Sequence, residues 1–266
     1  MTAPLSDTDA SRPDMPDSPR TEADLRRQLA ACYRLVAHFG MDDLIYNHIS
    51  ARVPGSDHQF LINPYGRFFR EITASSLLRI DLDGTKICDT PGQVNRAGFV
   101  IHAAIHRARA DAMCVLHVHS DAATAVSALP DALLPLSQFA MHFYNRIGIH
   151  AYEGVALDLD EQERLVADIG DHRVLLLRNH GFLTVGQTVP EAFMLAYYFE
   201  RAARIQLQAQ AAAAASGRPV VLPPHEVCEK AARQFTEFAG DIKRPGFREW
   251  PGFIRMLDEL APGYAD

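Results

Sequence analysis

Cysteine is scarce in this chain, and with it most marks of a secreted or metal-stapled protein. Cys32, Cys88, Cys114 and Cys228 are the four in 266 residues, far apart and without a C-x-x-C pair, which excludes a disulfide framework and argues against a structural zinc held by thiolates. No apolar run approaches the ~18 residues a membrane span needs, and Met1 to Arg20 carries Asp, Ser, Thr and Pro where a signal peptide would carry an apolar stretch. Positive charge is also short: 26 Lys and Arg face 33 Asp and Glu, for a net charge of −7. Without a basic cluster there is no footprint for a nucleic acid. These absences together predict a cytoplasmic chain that engages neither nucleic acid nor membrane.

What is present is an ordinary globular composition, 48% hydrophobic and 22% charged, with twelve histidines as its one oddity. Residues 1–20 read as a disordered tail. Thr21 then precedes Leu25, Leu29, Cys32 and Val36 at helical spacing, predicting an amphipathic helix that ends near Gly40. Short apolar pieces punctuated by turn residues follow: Ile45 to Val53, Phe60 to Ile62 before Asn63-Pro64-Tyr65-Gly66, and Leu77 to Leu82 before Asp83-Gly84. Phe99 to Arg109 returns to helix and Met113 to His119 to strand. Asp160-x-x-Glu163 opens a helix running to Gly170, and Thr188-x-x-Glu191 with Pro190 opens one reaching about Ala215, stopped by Gly217 and Pro219. Val174 to Leu177 between them reads as a buried strand. Helix and strand alternate over 21–215 without a linker, so one α/β domain is expected there. Residues 216–266, proline-punctuated and weakly periodic, read as an extension packed on that domain or on a neighbouring subunit.

His117 and His119 lie one residue apart on a strand, so their imidazoles point to the same side while Leu116 and Val118 point to the other. Two aligned imidazoles are half a metal site; a strand with a polar solvent face is the alternative. His180 sits in Leu177-Arg178-Asn179-His180-Gly181, at a strand end before a glycine, where sites collect. Three neutral imidazoles that leave positions for water or substrate suit a catalytic divalent ion. On its own, without those partners, His180 reads rather as a histidine capping carbonyls in a turn. His102 and His106 share a helix face at i, i+4 spacing without an H-E-x-x-H pattern, and read as core histidines or as groups that orient a ligand. His38, His58, His150, His172 and His225 read as surface residues.

Val115-Leu116-His117-Val118-His119 and Leu177-Arg178-Asn179-His180-Gly181, preceded by Asn47-His48-Ile49-Ser50 and Asn63-Pro64-Tyr65-Gly66, together resemble the class II aldolase/adducin family over about residues 25–210. Ala97-Gly98-Phe99-Val100-Ile101-His102 and Leu134-Pro135-Leu136-Ser137 make the adducin-like branch the nearer match. The resemblance implies a three-layer α/β/α sandwich around a largely antiparallel sheet. It also implies a homo-oligomer, often a tetramer, with sites at subunit contacts, and a divalent metal on His117, His119 and His180. Zinc is the first expectation for that metal, with iron, manganese or cobalt as alternatives.

The departures from the family pattern bear on the chemistry. The acid/base glutamate of the sugar-phosphate aldolases, four residues before the position of His102, is Gly98 here, and two phosphate-holding serines correspond to Arg96 and Ala97. The tyrosine proton donor falls at Phe139, with Tyr144 and Tyr152 nearby in sequence. Retro-aldol cleavage needs a base for the hydroxyl proton, whereas loss of carbon dioxide beside a polarised carbonyl asks for less. The expectation is therefore a metal-dependent carbon-carbon lyase, of decarboxylase or aldolase type, on a small oxygenated acid or carbonyl compound. No catalytic residue is assigned; Arg96, as a grip for a carboxylate, and Asn63 and Gln138, as neutral hydrogen-bonding groups, are the substrate-binding candidates. A non-catalytic adducin-like assembly protein and a metal-dependent oxygenase on the same fold are the alternatives. Against the first stands the expectation, from a chain ending at Asp266, that no long basic tail follows.

Overall fold

Thr21 accepts a hydrogen bond from the Asp24 amide at 3.1 Å and so starts the first helix, α1 (Glu22–His38), which buries the expected stripe of Leu25, Leu29, Cys32 and Val36. The computed structural model to which this helix belongs describes residues 19–154, 160–237 and 245–266, with the backbone alone at Arg96, Ala97, Thr236 and Glu237. The expected N-terminal tail lies outside the described residues as far as residue 18.

After α1 come β1 (His48–Arg52), β2 (Gln59–Ile62) and β3 (Leu78–Asp81), then α2 (Arg96–Ala108) and β4 (Cys114–Val118). Two short helices, α3 (Asp121–Ser127) and α4 (Gln138–Met141), lead to β5 (Ile147–His150), α5 (Glu161–Ile169), β6 (Val174–Leu177) and β7 (Gly181–Gly186). The long α6 (Val189–Ser216) starts at Thr188, whose side chain accepts from the Glu191 amide, and stops at Gly217 in the left-handed conformation. Asp160 precedes α5 without a side-chain capping bond, unlike the expected capping box.

The strands form one sheet in the order β3-β2-β1-β4-β7-β6-β5. Every pairing is antiparallel except β5 with β6, which α5 connects. Strand alternation divides the core between the two faces. Ile49, Leu116, Val118, Val174, Leu176 and Phe182 pack with α1, α6 and Trp250 on one side, while Val115, Leu175, Leu177, Leu183 and Val185 meet Ile101 and Ile105 of α2 and Leu165 and Ile169 of α5 on the other. This is the α/β/α sandwich with a largely antiparallel sheet that the sequence led us to expect. Each large aliphatic side chain so buried stabilises the fold by about 1.5–3 kcal/mol. Polar groups on the same buried faces must therefore find partners.

The segment beyond Gly217 is more regular than its prolines suggest. It forms α7 (His225–Glu237) and α8 (Trp250–Leu260), and Pro251 stands in the first turn of α8, where its missing N–H costs nothing. Trp250, Leu257 and Tyr264 enter the main core beside α1, and the Ala74 amide donates to the Tyr264 carbonyl at 2.9 Å. β5 and β7 were not anticipated; Gly148, Gly181 and Gly186 in them lie where the backbones close up too tightly for a side chain.

Candidate metal centre

His117 on β4 and His119 just past its end lie on the side that carries Val115; His117 is 1% exposed and His119 is partly buried. The polar solvent face offered as an alternative is thus not what β4 presents. His180 closes the three-residue turn between β6 and β7. Asn179 takes the left-handed conformation there (φ 56°), and the His180 amide donates to the Leu177 carbonyl at 3.2 Å. The turn lies against the end of β4 because Gly181 has no side chain; a Cβ there would stand 2.5 Å from the Val118 carbonyl oxygen.

This packing brings three Nε2 atoms together, His117 to His119 at 2.9 Å and His119 to His180 at 3.0 Å. The Nδ1 of His117 donates to the Phe182 carbonyl at 2.9 Å, and the Nδ1 of His119 donates to Asp43 Oδ2 at 3.1 Å. In the neutral rings both Nε2 atoms are therefore bare lone pairs facing each other. Burial first, and the neighbouring His119 and His180 next, hold His117 well below the ordinary histidine range. His180 is held down to about 4 by burial, then by His119 and His150. Three imidazoles turned on one point, two with their far nitrogens fixed by acceptors, fit a divalent ion. Tetrahedral ligands at the usual zinc–nitrogen length stand roughly 3.3 Å apart, slightly wider than the spacing here.

Beside this cluster runs a buried polar strip. β1 pairs with β4 so that His48 is opposite His117, and its face away from the main core carries His48, Ser50 and Arg52 beneath α2. His48 Nδ1 lies 2.8 Å from His102 Nε2, His102 Nδ1 lies 2.5 Å from Ser50 Oγ, and Ser50 Oγ lies 2.7 Å from His106 Nε2. His106 Nδ1 ends the strip on the Ala112 carbonyl at 2.9 Å, and Arg52 donates to the His106 carbonyl. Burial holds His48 and His106 at about 3 and His102 well below the ordinary value. His102 and His106 are thus core histidines whose partners are one another's neighbours, and neither bonds the three-histidine cluster directly.

The other candidates are placed as follows. Asn63 is buried, with its carbonyl oxygen accepting from the Tyr33 hydroxyl at 2.9 Å and its amide donating to the Asn47 carbonyl at 3.4 Å. Gln138 is exposed at the start of α4, a helix packed on α6 and α7. The side chain of Arg96 lies outside the described residues. Tyr144 bonds His225 at 2.9 Å, and Tyr152 lines a small cleft with His150, Glu161, Arg178 and His180. His150 is not a surface residue: it is 3% exposed, 2.7 Å from Asp168 through Nδ1 and 3.4 Å from Glu161 through Nε2. Local pattern could not have shown it: alternation in Ile147-Gly148-Ile149-His150 favours burying the isoleucines, whereas Gly148 and His150 take the buried face and Ile149 is exposed. Asp43 was missed as well, because nothing local in Asp42-Asp43 points to a histidine 76 residues on.

Residues 27–207 match the family of the class II aldolase and adducin N-terminal domain. The chain belongs to that family. Among class II aldolase relatives, a Caulobacter vibrioides protein named for aldolase class 2 is 49% identical over 91% of both chains. Alpha-adducin of Rattus norvegicus is 38% identical over 89% of this chain, which spans 33% of that longer protein. The structure of L-fuculose 1-phosphate aldolase from Glaciozyma antarctica superposes with a TM-score of 0.80, at 27% identity and covering 94% of this chain and 96% of that one. Class II aldolases are as a rule divalent-metal dependent, and the histidine cluster offers the donors for such an ion.

Proposed function

We propose that this class II aldolase relative is a divalent-metal-dependent carbon-carbon lyase acting on a small oxygenated acid or carbonyl compound, with His117, His119 and His180 holding the metal. The convergence of their three Nε2 atoms supports the reading. A bound divalent ion, zinc in this reading with iron, manganese or cobalt as alternatives, supplies Lewis acidity toward a substrate oxygen. The chain's own residues orient the donor set: the Phe182 carbonyl and Asp43 accept hydrogen bonds from Nδ1 of His117 and His119, which turns each Nε2 toward the ion site. Gly98 offers no carboxylate to begin a retro-aldol cleavage by taking a hydroxyl proton. That favours loss of carbon dioxide from a 3-oxo acid, in which the bond to the carboxylate breaks, its electron pair moves through the carbon between the two groups toward the carbonyl oxygen, and that carbon later takes a proton from water. We place Arg96, Asn63 and Gln138 as candidate substrate-binding groups and a cytoplasmic homo-oligomer, a tetramer in this reading, as the working form. No helix among the described residues is long and apolar enough to cross a membrane.

One experiment tests the reading. Elemental analysis of purified protein should find close to one divalent ion per chain, lost in His117→Ala. The loaded protein should release carbon dioxide from 3-oxo acids while leaving sugar phosphates nearly untouched. Protein that takes up no metal on reconstitution refutes the site, and brisk cleavage of a sugar phosphate refutes the decarboxylase preference. The likeness to alpha-adducin favours one rival, an assembly protein without turnover. Bound metal with no turnover on either substrate set would select it.

A further inference from the structure

The buried strip under α2 has a direction, and its far end decides it. The Ala112 carbonyl can only accept, so neutral His106 carries its proton on Nδ1 and turns a bare Nε2 to Ser50. Ser50 has one hydroxyl proton, which goes to His106, so its oxygen must accept from His102 Nδ1. His102 Nε2 is bare in turn and takes the proton on His48 Nδ1. His48 is left with an unprotonated Nε2 on a ring tilted against His117, centroids 5.0 Å apart, and no described residue donates to that nitrogen. The room for this ring comes from Gly98, in the first turn of α2. A Cβ there would stand 2.5 Å from His48 Cδ2 and 2.8 Å from Nε2. Glycine in a helix costs about 0.5–1 kcal/mol relative to alanine, and here it accommodates an imidazole beside the candidate metal centre.

We propose that His48 is a substrate-positioning residue: a hydrogen-bond acceptor of fixed orientation that takes the O–H of a hydroxyl-bearing substrate at the three-histidine centre, with Ser50, His102 and His106 as the positioning residues behind it. This rests on the metal-centre reading above and narrows its substrate class to oxo acids and carbonyl compounds that also carry a hydroxyl. A buried acceptor penalises an analogue that brings no proton to it. The site therefore distinguishes a hydroxyl from an ether or an aldehyde oxygen in the same place.

Two measurements test it. In metal-free protein labelled with ¹⁵N-histidine, ring-nitrogen shifts should report His48, His102 and His106 all protonated on Nδ1. Ser50→Ala should average the His48 signal between tautomers, and Ser50→Thr, which keeps the hydroxyl, should restore it. In cobalt-loaded protein, titrations followed by visible absorption should show glycolate binding at least about tenfold more tightly than methoxyacetate. His48→Phe should abolish that preference and His48→Gln, whose amide oxygen still accepts, should keep part of it, with far-ultraviolet circular dichroism confirming that each variant folds. A proton on His48 Nε2 in the wild type overturns the proposal, as does a preference for glycolate that survives His48→Phe. Failure to take up cobalt would sink the metal-centre reading together with the proposal, whereas a wrong tautomer in protein that does bind cobalt sinks the proposal alone.

Discussion

Asp43 shows how much a single side chain can matter without touching the centre of a site. It stands in the loop after α1, its amide donates to Asn47 Oδ1 at 2.6 Å, and its carboxylate accepts the Nδ1 proton of His119. That bond selects the tautomer that leaves His119 Nε2 bare and stops the ring from turning. Asp43→Ala should therefore weaken metal binding by ~10–100-fold, as partners behind a metal-bound histidine generally do. Competition with a chelator of known affinity measures it. Unchanged affinity would mean that the strand alone orients His119. Stability should change little, since Asp43 is partly exposed.

The element that completes the site is the β6–β7 hairpin. β4 delivers two ligands by alternation, but His180 reaches them only because the turn closes tightly over the end of β4, with Gly181 at φ 153° against the Val118 carbonyl. A methyl group at Gly181 would meet backbone, which cannot swing aside as a flexible side chain would. Gly181→Ala is expected to cost about 1–3 kcal/mol of unfolding free energy, from the clash and the disfavoured φ together. It should also lower metal affinity, because His180 moves with the turn. Urea denaturation and metal titration of one sample would separate the two effects. A stable variant with unaltered affinity would show that the hairpin tolerates displacement.

For the whole molecule, the buried histidines make stability depend on pH in a definite direction. His48 and His106 are pushed down to about 3, and His142 and His180 to about 4, by burial first in each case. In the unfolded chain each titrates near 6.5. Below that pH the unfolded state binds protons that the folded state refuses. Stability is thus fully present above pH 6.5 and declines as pH falls toward the folded values, by up to ~1.4 kcal/mol per pH unit for each group. Urea midpoints of metal-free protein should be level between pH 7 and 8 and drop below 6.5. His142 allows a local check: it lies between Tyr198 and Phe235, ring centroids 4.8 and 3.6 Å away, and outside the histidine cluster. His142→Phe should flatten the slope between pH 6.5 and about 4, and an unaltered slope would refute its share.

What the sequence determined by itself was largely a matter of faces and ends. Period-2 alternation aligned His117 with His119, helical spacing aligned His102 with His106, and the turn residues around His180 marked a strand end. The motifs that carry the family resemblance added the fold, and together they named the three histidines that the structure brings together. Periodicity records the face a residue takes within its own element. It is silent on which face meets which. Only the tertiary structure put His48 and Ser50 of β1 under His102 and His106 of α2, brought Asp43 to His119, and buried His150 on β5. Those juxtapositions depend on strand register and helix docking, decided by the whole core at once. Gly98 belongs to both accounts: the resemblance to the sugar-phosphate aldolases marked a missing carboxylate there, and the packing showed that the His48 imidazole from β1 occupies the space.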